Sequence, residues 1–234
     1  MAGVPQPLEL VIFDCDGVLV DSETLASELE VELFAEIGMP MTAAEIAERF
    51  LGRSPAFVNA AVAEHLGGSL PADWERYWEA RYKAVLTERL RPIPGVVEAL
   101  EQITLPVCVA SSSEPASIAF KLSLCGLDRW FGDRVFSAAQ VRNGKPAPDL
   151  FLLAARRLGV DPSACAVIED SPVGVQAGRA AGMRTFAYAG GGLVARDRLT
   201  GAATTVFDDM HLLPELLRRV CSDALCDRGE KHAK

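Results

Sequence analysis

Residues 10–22 read LVIFDCDGVLVDS. An apolar run reaches Phe13, stops at Asp14 and Asp16, turns at Gly17 and becomes apolar again. Asp-Gly between apolar runs is a hairpin signal. Two carboxylates at the end of a buried strand also suit a charged reaction site. The two readings separate only when the rest of the chain is laid beside them.

Short apolar runs recur at Leu8–Phe13, Pro106–Ala110, Val135–Ser137, Cys165–Ile168, Arg184–Tyr188 and, more weakly, Thr204–Phe207. Continuous runs of this length suit strands buried on both faces. Helical stretches lie between most of them: Gly95–Gln102, Glu114–Cys125, Asp149–Leu158 and Pro172–Ala181. Gly159 and Gly182 stand just past two of these, where glycine ends a helix. Strands alternating with helices predict an α/β fold, a doubly wound parallel sheet of Rossmann-like kind.

About ninety residues separate the first two runs, far more than a crossover needs. Leu25, Leu29, Leu33 and Ile37 repeat every four residues, and Gly38 and Pro40 stop that helix. Thr42–Phe50, Pro55–Leu66 and Ala72–Arg89 read as further helices. The expected organisation is an α/β core of residues 1–21 and 91–234, with a small helical domain inserted at 22–90. Trp74, Tyr77, Trp78 and Tyr82 are expected to pack within the helical domain rather than line a pocket.

In open α/β sheets ligands bind beyond the carboxyl ends of the strands. Asp14, Asp16 and Gly17 follow the first strand. Ser111, Ser112 and Ser113 follow the second, Lys145 the third, and Glu169, Asp170 and Ser171 the fourth. Two carboxylates ~4 Å apart repel by roughly 4 kcal/mol at an effective dielectric near 20. Four need a cation, and oxygen-only ligands point to Mg²⁺. Lys145, Ser111 and the N–H groups opening the next helix add an anion site. Together these suit a phosphoryl group.

Each part alone has a plainer reading. Asp14–Gly17 could be a turn, the serines an N-cap, Lys145 a solvated lysine, and Glu169-Asp170 a helix-start preference. A calcium loop is excluded, because glycine stands fourth rather than sixth and Leu25 occupies the twelfth place.

The segments FDCDGVLVDS, VASSS, GKPAPDLF and VIEDS, between Phe13 and Ser171, resemble the haloacid dehalogenase superfamily. The likeness is to its helical-cap (subfamily I) branch, of sugar-phosphatase or β-phosphoglucomutase-like type. The resemblance implies that Asp14 is the nucleophile and Asp16 the proton donor and acceptor. It implies that Ser111 and Lys145 hold phosphoryl oxygens, with Gly17 and Ser112 in the same set. It implies Mg²⁺ on Asp14, Glu169, Asp170 and the Asp16 carbonyl. Glu23, Gly52 and Arg53 are the candidates for reading the substrate. Asp16 argues against dehalogenases and phosphonate-cleaving members, which lack it.

The expected function is a Mg²⁺-dependent phosphatase of a sugar or sugar-acid phosphate, 6-phosphogluconate being one candidate. A β-phosphoglucomutase-like transferase is the alternative, disfavoured by Ala26 where such mutases carry histidine. A catalytically silent regulatory protein is the alternative of another class.

The net charge is −9, with 23 basic and 32 acidic residues, which disfavours nucleic acid or an anionic membrane as partner. No apolar run approaches the ~20 residues of a membrane helix, and the first residues lack a basic, apolar leader. Six cysteines without a CxxC pair read as free thiols in a reducing compartment. A cytoplasmic monomer is expected.

Overall fold

The apolar runs form one six-stranded sheet, parallel throughout: β1 Leu10–Phe13, β2 Val107–Ser111, β3 Val135–Ser137, β4 Cys165–Glu169, β5 Arg184–Tyr188 and β6 Thr204–Phe207. The order is β3-β2-β1-β4-β5-β6. This is the doubly wound arrangement, in which the chain reverses direction across the sheet between β1 and β4. Ile12 pairs with Cys108 on one side and Val167 on the other, so β1 is central and buried throughout. The computed structural model describes residues 6–50, 55–192, 194–200 and 204–220.

Two strands run one residue further than the apolar pattern suggests. β2 ends on Ser111 and β4 on Glu169, and both are buried. Ser111 and Glu169 are therefore strand residues, held by ladder hydrogen bonds rather than by loops. That difference matters for the site.

The chain divides into two compact units, residues 1–21 with 91–234, and residues 22–90. The second unit is helical: α1 Ser22–Glu36, α2 Ala43–Phe50, α3 Pro55–His65 and α4 Trp74–Arg89. Leu25, Leu29 and Leu33 are buried along α1, as their spacing requires. Gly38, at φ +76°, ends the helix, and Met39 N–H donates to Phe34 C=O at 2.8 Å. Thr42 opens α2 with a capping box. Its Oγ1 accepts from Glu45 N–H at 3.3 Å, and Glu45 Oε2 accepts from Thr42 N–H at 2.8 Å.

Phe34 stacks on Phe50 at 5.3 Å within a small core that includes Ile46 and Val62. Of the four aromatics on α4, Trp74 packs against this core. Tyr77 does not: it is 41% exposed, and its hydroxyl donates to Glu36 Oε2 at 2.8 Å. Its place on the wheel favours the α1–α4 seam, where Arg81 also bridges Glu32 and Glu36.

In the α/β unit the helices are α5 Val96–Gln102, α6 Pro115–Leu124, α7 Asp128–Phe131, α8 Asp149–Leu158, α9 Pro172–Ala180 and α10 Arg196–Leu199. Residues 213–220 are helical as well. One face of the sheet, with Leu10, Ile12, Cys108 and Val167, packs against Leu150, Phe151 and Ala154 of α8 and Ala177 of α9. Phe13, of opposite parity on β1, meets Phe131 of α7 edge to face at 6.2 Å. Each fully buried phenylalanine contributes ~1.5–3 kcal/mol to holding these layers together. Among the described residues no helix is long and apolar enough to cross a membrane, and Cys15, Cys108, Cys125 and Cys165 are free.

Candidate active site

The carboxyl ends of β1, β2 and β4 are adjacent because these strands are neighbours in the sheet. Asp14 is the first residue past β1. Its N–H still donates to Ile168 C=O at 2.9 Å, so its backbone is fixed by the ladder. The chain then doubles back. Gly17, at φ +72°, donates its N–H to Val20 C=O at 2.9 Å. This left-handed conformation is one that a side chain resists. Contact adds a second reason for glycine: a Cβ at residue 17 would lie 2.0 Å from Asp170 Oδ2.

Lys145 reaches the strand ends from the loop between β3 and α8. Its side chain is 3% exposed, and its Nζ donates to Asp14 Oδ1 at 2.8 Å and to Glu169 Oε1 at 2.6 Å. The ammonium also lies 5.0 Å from the Phe151 ring centroid. Glu169 is fully buried, and its other oxygen, Oε2, accepts from Ser171 N–H at 2.9 Å and Ser171 Oγ at 2.8 Å. Ser171 in turn caps α9, accepting from Gly174 N–H at 3.1 Å. Asp14, Glu169 and Asp170 each bring a carboxylate oxygen within 4.8 Å of the others.

The electrostatics follow from this crowding. Burial pushes the Asp14 carboxyl up to about 7; Lys145 pulls it down, while Glu169 and Asp16 push it up. Burial works against the Lys145 charge, but the Asp14 and Glu169 carboxylates outweigh it and hold the ammonium above the ordinary lysine range. Asp14 and Glu169 share the Lys145 ammonium, and Asp170 brings a third carboxylate to the same place. All the donors are oxygens, so the set fits a hard divalent cation such as Mg²⁺.

Asp16 has different partners from Asp14. Its Oδ1 accepts from Lys121 Nζ at 2.5 Å and its Oδ2 from Ser113 Oγ at 2.8 Å. Ser113 belongs to the serine cluster noted after the second strand, whereas Lys121 is not among the sequence candidates. A signal for Lys121 exists in the helix pattern: Ile118 and Leu122 are buried on α6, and Lys121 falls on the same face. A lysine inside an apolar stripe needs a partner.

Ser111 is buried, and its Oγ accepts from Ser113 N–H at 3.1 Å. Ser112 is exposed. The serines are not the N-cap of α6: that place is taken by Glu114, ahead of Pro115, and Glu114 makes no side-chain cap. Proline at the first helical position removes one donor that would otherwise need capping. Glu23 is exposed in the first turn of α1. Gly52 and Arg53 lie outside the described residues.

Residues 8–182 match the model of the haloacid dehalogenase-like hydrolases. The 6-phosphogluconate phosphatase of Escherichia coli is 30% identical over 210 residues, 89% of this chain and 94% of its own length. The fructose-1-phosphate phosphatase of the same organism is 34% identical over 180 residues, covering 74% and 92%. Among solved structures, a haloacid dehalogenase-like protein from Agrobacterium tumefaciens superposes with a TM-score of 0.80 at 36% identity, over 91% of this chain and 98% of that one. A hydrolase of the family from Deinococcus radiodurans, crystallised with phosphate and sodium, reaches 0.79 at 33% identity, over 92% and 96%. With the doubly wound order and the family match spanning most of the chain, this protein belongs to the haloacid dehalogenase-like hydrolases and is a phosphoric monoester hydrolase.

Proposed function

We propose that the protein hydrolyses a sugar or sugar-acid phosphate, 6-phosphogluconate among the candidates, through an aspartyl-phosphate on Asp14. The observation that carries this reading is the Asp14–Glu169–Asp170 cluster with Lys145 bridging Asp14 and Glu169. A carboxylate fixed at a strand end, beside a buried ammonium, is placed to attack phosphorus.

Asp14, Glu169, Asp170 and the Asp16 carbonyl would hold Mg²⁺, which when bound neutralises charge on the phosphoryl oxygens. The remaining roles fall to the chain itself. Lys145 holds Asp14 through Oδ1 and offers its charge to the phosphoryl group. Ser111 accepts from Ser113 N–H, leaving its own proton to donate toward a phosphoryl oxygen. In the first half-reaction the Asp14 carboxylate forms the O–P bond. The ester O–P bond breaks, and Asp16 protonates the departing alkoxide. In the second half-reaction Asp16 takes a proton from water, which attacks the same phosphorus and frees Asp14 and inorganic phosphate. Proton transfer of this kind is worth ~10²–10⁴ in rate. One chain supplies every group used, so a monomer suffices.

Phosphate release and isomerised product are measured together on a panel of phosphorylated sugars, sugar acids and nucleotides with Mg²⁺. Free phosphate from a sugar or sugar-acid phosphate is expected, lost with a chelator and restored by Mg²⁺. Asp14→Asn should abolish turnover while the circular dichroism spectrum is kept. Undiminished release by that variant would overturn the mechanism, and isomerised sugar with little free phosphate would overturn the hydrolase assignment.

A further inference from the structure

We propose that Lys121 is a positioning residue for proton transfer: together with Ser113 it fixes the Asp16 carboxylate in the orientation from which Asp16 serves the leaving group. The inference rests on Asp16 being the acid and base of the reaction. Asp16 Oδ1 accepts from Lys121 Nζ at 2.5 Å, and Oδ2 from Ser113 Oγ at 2.8 Å. Lys121 Nζ also donates to Ser113 Oγ at 3.3 Å, closing a three-membered ring of contacts. A carboxylate held at both oxygens from two points has one orientation.

The holders are themselves fixed. Ser113 C=O accepts from Ser137 Oγ at 2.7 Å, and Ser113 N–H donates to Ser111 Oγ at 3.1 Å. The ends of β2 and β3 thus set where Ser113 stands. Lys121 comes off α6 with its side chain 4% exposed, between the buried Ile118 and Leu122. Packing alone would be served better by leucine or methionine, since burying an ammonium costs several kcal/mol unless it is paired.

Charge supplies the reason for a cation at this place. Asp16 stands two residues from Asp14, and a carboxylate without a partner of its own would be drawn toward Lys145. Each aspartate instead has its own buried lysine, Lys145 for Asp14 and Lys121 for Asp16. The two carboxylates are kept apart, one toward phosphorus and one toward the proton. Misplacing a reacting group by about 1 Å can cost ~10²-fold.

The experiment compares kcat/KM on two monoesters that differ in leaving group. An alkyl phosphate expels an alkoxide that needs a proton. p-Nitrophenyl phosphate expels a stable phenolate that does not. Because kcat/KM reports steps up to leaving-group departure, the later use of Asp16 as a base does not enter. Lys121→Met should lose roughly 10- to 100-fold on the alkyl ester and less than about threefold on the aryl ester. Equal losses on both esters, or none on either, would overturn the proposal. Asp16→Asn is the control: if it lacks the alkyl–aryl split, Asp16 is not the acid and the proposal falls with that reading, whereas a split in Asp16→Asn without one in Lys121→Met refutes Lys121 alone. Should Lys121→Met not fold, Ser113→Ala decides: it leaves the ion pair and removes one holder. A smaller split of the same sign is expected from it, and its absence overturns the proposal.

Discussion

Removing one partner of the Asp16–Lys121 pair should cost the α/β unit more than removing both. Lys121 is 4% exposed and Asp16 15%, with 2.5 Å between Nζ and Oδ1. Charge centres ~4 Å apart attract by about 4 kcal/mol at an effective dielectric near 20. That attraction offsets a desolvation cost of several kcal/mol per ion, which remains when the partner leaves. Asp16→Asn takes the carboxylate away from the buried Lys121 ammonium, whose Nζ keeps Ser113 Oγ at 3.3 Å, and should cost about 3–5 kcal/mol. Lys121→Met strands the more exposed carboxylate, still held by Ser113, and should cost the lower end of that range. The double variant strands neither and should lie within about 1 kcal/mol of the parent, because a buried pair replaced whole is often neutral. The coupling energy is then about 5 kcal/mol or more. Urea unfolding is followed by hydrogen exchange at the amides of β1 and β2, so that the α/β unit is read by itself. Additive losses in the double variant would refute the reasoning, since they would mean that the two charges do not depend on one another.

Three further outcomes follow from particular contacts. Gly17→Ala should lose about 1–2 kcal/mol from the left-handed backbone and weaken Mg²⁺ binding in calorimetry, because its Cβ would fall 2.0 Å from Asp170 Oδ2; unchanged affinity would mean that Asp170 is not a ligand. Gly174→Ala places a Cβ 1.7 Å from Glu169 Oε1 and must displace a carboxylate held by Lys145 and Ser171. Overpacking of this kind costs ~1–3 kcal/mol, and thermal unfolding together with phosphate release should both fall. Glu30, half-buried on α1, is raised to about 7 from 4.5 by burial and by Glu23. Its folded form favours the proton, so its stability contribution is full below about pH 4.5 and is lost as the pH rises through 7. Glu30→Gln should therefore raise the melting temperature at pH 8 and leave it unchanged at pH 4.5.

Much of the molecule is legible in its residues. Apolar runs of three to six residues, separated by helical stretches, specify a parallel sheet because such strands are covered on both faces. Asp14, Glu169 and Asp170 are predictable candidates because each stands at a strand end, where an α/β sheet opens, and Lys145 because it lies in the loop that follows β3 on the same edge. The details that escape the pattern are those set by contacts distant in sequence. Ser111 and Glu169 end strands rather than begin loops, because neighbouring strands extend the ladder past the last apolar residue. Tyr77 looks like a core aromatic until its hydroxyl finds Glu36 on α1.

The opening stretch marks the division. Its residues alone determine a buried strand that ends in two carboxylates and a turn, since apolar run, Asp and Gly are local signals. They do not say which carboxylate faces which charge. Asp14 and Asp16 are a residue apart and chemically identical. One meets Lys145 and Glu169, the other Lys121 and Ser113. That assignment belongs to the tertiary structure, because it depends on where α6 and the loop after β3 deliver two lysines more than a hundred residues further along the chain.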